Sequence, residues 1–138
     1  MTARPQLPPT FKGRTLGITT LTILQLLIGA VHVFFGYWLL TASTSIVPFS
    51  VMESNTIYSV YTVMFGFAAA ILAYGIWLQK SWGSLGTIAL SLFVITADSL
   101  TVLNLPSIPG IPKFAAGTEI IYSLIITAYL LQTKVRIK

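Results

Sequence analysis

A chain of 138 residues with 55% hydrophobic residues, 8% charged residues and a mean hydropathy of +0.86 lies far from soluble globular composition, in which about a quarter of residues are charged. This is the composition of one integral membrane domain with little outside the bilayer, so function is expected in the helices, in their short loops or in what they bind. The net charge of +5 is not read as a nucleic-acid footprint, because the basic residues sit in short stretches beside apolar runs, where topology and anionic headgroups account for them; the lack of cysteine excludes disulfide scaffolds, thiol redox chemistry, iron-sulfur clusters and Cys-based zinc sites.

Residues 1–15 carry Arg4, Lys12 and Arg14 among Pro5, Pro8 and Pro9. Proline blocks helix and basic side chains prefer the headgroup region, so this stretch reads as an extended cytoplasmic tail. The first span, 16–40, is free of Asp, Glu, Lys and Arg over 25 residues, about 37 Å of helix, enough for a hydrocarbon core of about 30 Å with some tilt. That run is too long for a signal-peptide core, and the segment is expected to be retained. Thr22, Gln25, Gly29, His32 and Gly36 follow one another at steps of 3 and 4, which places them on one seam of the helix while aliphatic and aromatic residues cover the rest.

Residues 41–56 read as an outer loop holding Glu53 and Pro48, with Ile46 to Met52 apolar enough to lie on the membrane surface. The second span, 57–78, has a seam of Ser59, Thr62, Gly66, Ala69 and Ala73, small residues that allow close approach of another backbone. A turn over Gln79 to Trp82 returns the chain into a third span, 83–103, whose seam is Ser84, Thr87, Ser91, Val94, Asp98 and Thr101. Residues 104–113, with three prolines and a glycine, form a loop. The last span, 114–131, puts Glu119, Ser123 and Thr127 on one face, and residues 133–138 are a basic tail. The expected fold is an all-α integral membrane four-helix bundle, up-down, with a membrane domain over 16–132.

Basic residues orient it. With the N-terminus cytoplasmic, Arg4, Lys12, Arg14, Lys80, Lys134, Arg136 and Lys138 are inside and Lys113 alone is outside, a strong positive-inside bias for a multi-pass protein of the cell membrane with both termini in the cytoplasm. Tyr37, Trp38, Tyr58 and Tyr61 then fall near the outer interface, and Trp77, Trp82 and Tyr129 near the inner one.

Three ionisable residues, His32, Asp98 and Glu119, fall within the spans at nearly one depth, each on its helix's polar seam. An ionisable group in lipid is costly unless paired, wetted or neutral. Three uses are open: hydrogen-bonded glue, contact with a partner subunit, or a metal or proton site. One His and two carboxylates suit zinc or iron in kind, although no i, i+3 or i, i+4 ligand pair is present. No nucleophile–base pair, phosphate loop or calcium loop is found.

Three stretches carry a resemblance: Arg14 to Gln25 (RTLGITTLTILQ), Ala73 to Leu85 (AYGIWLQKSWGSL) and Thr127 to Arg136 (TAYLLQTKVR), about 35 residues together. They resemble a loosely defined group of small four-span membrane proteins of archaea and bacteria, which implies the four-span architecture and brings no activity with it. Gln25, Gly29, His32 and Gly36 also look like the first helix of the CD20-like four-span family, a likeness of packing confined to one helix. The leading expectation is a non-catalytic accessory or scaffold subunit packing against larger membrane subunits, respiratory and monooxygenase complexes being the kind, with no cofactor of its own. Gln25, Gly29, Gly36, Gly66, Ala69 and Ala73 would supply helix-packing or partner contacts, and lipid is the other partner. The competing expectation is a homo-oligomeric transport protein for protons, ions or a small solute, with His32, Asp98 and Glu119 as relay groups.

Overall fold

The computed structural model describes residues 10–11, 14–42 and 49–136. The expected extended tail over residues 1–9, the loop segment 43–48, the side chain of Glu53 and the basic side chains of the C-terminal tail lie outside the described residues. A two-residue strand β1 (Thr10–Phe11) pairs antiparallel with β2 (Arg14–Thr15), Thr10 opposite Thr15. The rest of the regular structure among the described residues is helix: α1 (Leu16–Ala42), α2 (Phe49–Trp77), α3 (Ser81–Val102) and α4 (Lys113–Arg136). All four are long and apolar enough to cross a membrane, the qualifying stretches being Leu16–Thr41, Thr56–Trp77, Ser81–Val102 and Lys113–Thr133.

The main difference from the sequence reading is the start of α2. The helix begins at Phe49, directly after Pro48, whereas the sequence reading places a loop as far as Thr56. Proline cannot sit in a helix interior but is well placed just ahead of one, and 49–56 contains neither proline nor glycine to stop the helix. The other breaks are set by backbone chemistry. At the end of α2, Gln79 takes a left-handed φ of 55°; its N–H donates to the Ile76 carbonyl at 2.9 Å and the Lys80 N–H to the Gly75 carbonyl at 3.0 Å, the paired bonds of a Schellman stop. α3 ends the same way. Asn104 has φ 58°, with Asn104 N–H bonded to Thr101 and Leu105 N–H to Leu100. At the start of α4 the Pro112 carbonyl accepts the Ala116 N–H at 3.0 Å.

Neighbouring helices run antiparallel. α1 and α2 pack most closely, followed by α3 with α4 and α2 with α3. The α1–α2 approach is a contact of backbones: a Cβ on Gly29 would stand 2.8 Å from the Gly66 oxygen, and one on Gly66 2.6 Å from the Gly29 oxygen. Further along, Gly36 faces Val63 and the Ser59 carbonyl, so the register descends on α2 as it rises on α1. The α2–α3 crossing is equally tight where Gly83 lies on the Gly75–Ile76 backbone.

The interior is layered. One apolar cluster, Leu21, Ile76, Ile126 and Leu130, closes the end of the molecule where α1 begins and α4 ends. A second, Tyr58, Ile111 and Ala116 with Leu39, Tyr61 and Ile108 against it, closes the other end. Between them lie polar side chains: Gln25, Thr62, Thr87, Ser91, Asp98 and Ser123 are all buried. Large apolar residues instead point outward, Phe34 and Phe114 being 74% and 85% exposed. Polar inside and apolar outside is the inverse of a water-soluble bundle and suits a lipid surround.

Candidate functional site

The site is assembled from the seam residues of three helices. On α1, His32 lies one turn beyond Ile28, and its Nδ1–H donates to the Ile28 carbonyl at 2.8 Å. A carbonyl can only accept, so Nδ1 carries a hydrogen and the chemistry of the ring is left to Nε2. Nε2 faces Glu119 Oε1 of α4 at 3.4 Å, with 19% of the His32 side chain and 18% of the Glu119 side chain exposed. With Nδ1 occupied, the contact is an imidazolium against a carboxylate or an imidazole against a carboxylic acid. Either way a single proton lies between the two groups. At 3.4 Å the contact is longer than the 2.7–2.9 Å of a strong charge-assisted bond. Phe65 of α2 holds the imidazole from the side, ring centroids 4.8 Å apart and tilted by 57°.

Asp98 of α3 completes the group. It is fully buried, it is close enough to His32 to interact with its charge, and the carboxyl of Glu119 lies within side-chain hydrogen-bond reach of it, while no N–H or hydroxyl among the described residues donates to either Asp98 oxygen. Local structure holds it rigidly. Val94, one turn earlier on α3, is also fully buried. Ser107, in the loop after α3, donates to the carbonyl of Ala97 at 2.7 Å, and Thr101 donates to Ser107 at 3.0 Å. The loop is thereby tied down beside Asp98, with Ile108 and Ile111 joining Tyr58 and Tyr61 above it.

The structure thus brings His32, Asp98 and Glu119 to one place. As an imidazolium and two carboxylates they would carry one excess negative charge, and an isolated buried charge is strongly disfavoured. One further proton or one cation balances the group. Among the described residues no three His, Asp or Glu side chains are spaced to hold a metal ion, so the donor set named from the sequence converges as charges without forming a three-donor cage.

The six seam residues named for packing or partner contact all lie inside the chain. Gly29, Gly36 and Gly66 join α1 to α2, Ala69 and Ala73 are 2% and 0% exposed, and Gln25 donates through Nε2 to Thr87 Oγ1 of α3 at 3.1 Å. Two further residues, Tyr61 and Tyr122, were not named from the sequence as candidate site residues. Tyr61, assigned to the outer interface, has its ring between Phe65 and Phe93, with centroids 6.4 Å from each, and its hydroxyl buried without a partner. Tyr122 likewise has a buried hydroxyl with no partner among the described residues. The signal for Tyr122 was its place three residues after Glu119, on the same helical face. No protein family matches this chain, and neither does a curated protein or a solved structure.

Proposed function

We propose that this chain is a multi-pass membrane protein of the transport class that holds a proton inside the bilayer at His32, Glu119 and Asp98. The single observation carrying this reading is the charge imbalance of the group: two carboxyls face one imidazole, and the more buried carboxyl has no neighbour within hydrogen-bond reach among the described residues except the other carboxyl. A side chain serving as structural glue would satisfy its oxygens, because a buried acceptor left unmade costs about 1–3 kcal/mol. A proton held between the Asp98 and Glu119 carboxyls offsets that penalty, because a protonated carboxyl donates to its ionised neighbour, and its exchange is a relay step. A proton is favoured over a metal because the His32–Glu119 contact is one that a proton bridges, whereas three donors around one ion are missing among the described residues. Both termini are assigned to the cytoplasm on the distribution of basic residues, seven inside against Lys113 outside.

The accessory-subunit reading retains one observation, an open apolar groove of about 510 Å³ along α1 and α2 lined by Leu26, Ala30, Phe34, Tyr37 and Phe67, where another protein's helix would fit. Of the seam residues, Gly29 and Gly66 also line this groove, while Gln25, Ala69 and Ala73 are buried within the chain. The two readings separate in one experiment on protein purified gently from its source membrane and reconstituted in liposomes. Transport predicts proton uptake driven by a potassium diffusion potential, read with an interior pH dye, and its loss in Asp98→Asn. Co-purification with larger membrane proteins at fixed stoichiometry, together with no uptake by the wild-type protein, overturns it.

A further inference from the structure

A second cavity, mainly apolar in its walls with a few inward polar groups, lies along the bundle from the ionisable group. It is a small, partly open cavity of about 20 Å³ among Gln25, Phe65, Thr87, Ser91, Tyr122 and Ser123. Water needs at least about 10–15 Å³ of such volume and two to four polar partners. Both conditions are met. Gln25 is 3% exposed, its amide nitrogen is committed to Thr87, and its Oε1 is buried with no partner among the described residues. The hydroxyl of Tyr122, on the cavity wall contributed by α4, is buried and unpartnered as well. Exchanging the amide O and N leaves one end of Gln25 unsatisfied in either orientation. Ser91 and Ser123 add hydroxyls to the same wall, and both are buried.

We infer that this cavity binds one water molecule, which donates to Gln25 Oε1 and pairs with the Tyr122 hydroxyl. The site is separate from the proton-binding group and stands whether or not that group transports anything. The volume suits one water and falls short of two. The water satisfies two polar groups that the helices leave orphaned, at a level where Gln25 already ties α1 to α3 and Tyr122 brings in α4. Ser123 stands one helical turn from Glu119 and Ser91 two turns from Asp98, so the water extends the polar interior along the bundle from the ionisable group.

The test is microsecond X-ray radiolytic labelling of the full chain in nanodiscs, which marks side chains beside a bound water, followed by mass spectrometry. Tyr122 and Phe65 are expected to be labelled above the lipid-facing rings Phe67 and Phe93, and the label at Tyr122 is expected to be lost in Gln25→Leu. Should Gln25→Leu not fold, loss of the Phe65 label in Tyr122→Phe is the equivalent result. Labelling of Tyr122 and Phe65 no greater than that of Phe67 and Phe93 in the wild-type protein overturns the inference. So does labelling that persists unchanged in the folded variants, and neither result bears on proton uptake.

Discussion

A carboxyl group with no exposed surface, and with only a second carboxyl within hydrogen-bond reach among the described residues, subtracts from stability when ionised, since its oxygens have given up water without replacement. Asp98 is therefore expected to behave unlike a structural polar residue. Asp98→Val, which removes the oxygens and roughly keeps the volume, should stabilise the protein by about 1–2 kcal/mol while abolishing proton uptake. Thermal denaturation in detergent followed by tryptophan fluorescence checks the first effect and the liposome assay the second. A clear loss of stability in Asp98→Val would mean that the carboxyl is glue after all. Glu119 differs because it is part exposed and its contact with His32 is long. Glu119→Gln should change stability by less than about 1 kcal/mol yet still impair uptake, because Nε2 of His32 then faces an amide that cannot share its proton.

Among the helices, glycine has two unlike roles, which the surroundings of each position separate. At Gly66 a Cβ would press on the Gly29 carbonyl and on Val33, so Gly66→Val must push α1 and α2 apart, and overpacking of this kind costs about 1–3 kcal/mol. At Gly117 of α4 nothing lies within 4 Å of an added Cβ; Gly117→Ala should stabilise by up to about 1 kcal/mol through helix propensity alone. Paired melting curves in one detergent read both signs. The α2–α3 turn supplies a third case. Gln79 occupies the left-handed position of the stop motif with φ 55°, where a Cβ costs about 1 kcal/mol and glycine costs nothing. Gln79→Gly is accordingly expected to raise the melting temperature, and a fall would show that the side chain makes compensating contacts.

For the whole molecule, orientation is the property that basic residues argue most directly. Because the chain has no cysteine, single cysteines report topology without background. With both termini cytoplasmic, Lys113→Cys should react with a membrane-impermeant maleimide on intact cells, and Lys80→Cys only after permeabilisation. Both positions are exposed. The reverse pattern would invert the topology and move His32, Asp98 and Glu119 to the cytoplasmic half of the bilayer.

Sequence by itself determined the four apolar helices and which face of each turns inward, because spacing at 3 and 4 residues marks one helical face irrespective of partner. Ser59, Thr62, Gly66, Ala69 and Ala73 share such a face and all are buried. It also put His32, Asp98 and Glu119 at one depth, since rise per residue converts position into height. Tertiary structure alone decided what stands beside what at that depth. Depth does not say which helices are adjacent or how each is rotated, and these settle whether His32 meets Glu119, as it does at 3.4 Å, or a different helix. Equally beyond the sequence were the pairing of the Asp98 carboxyl with that of Glu119, with no other donor among the described residues, and the cavity between Gln25 and Tyr122. An unsatisfied polar atom and an interhelical cavity are properties of how several helices fit together, and no residue pattern on one helix encodes them.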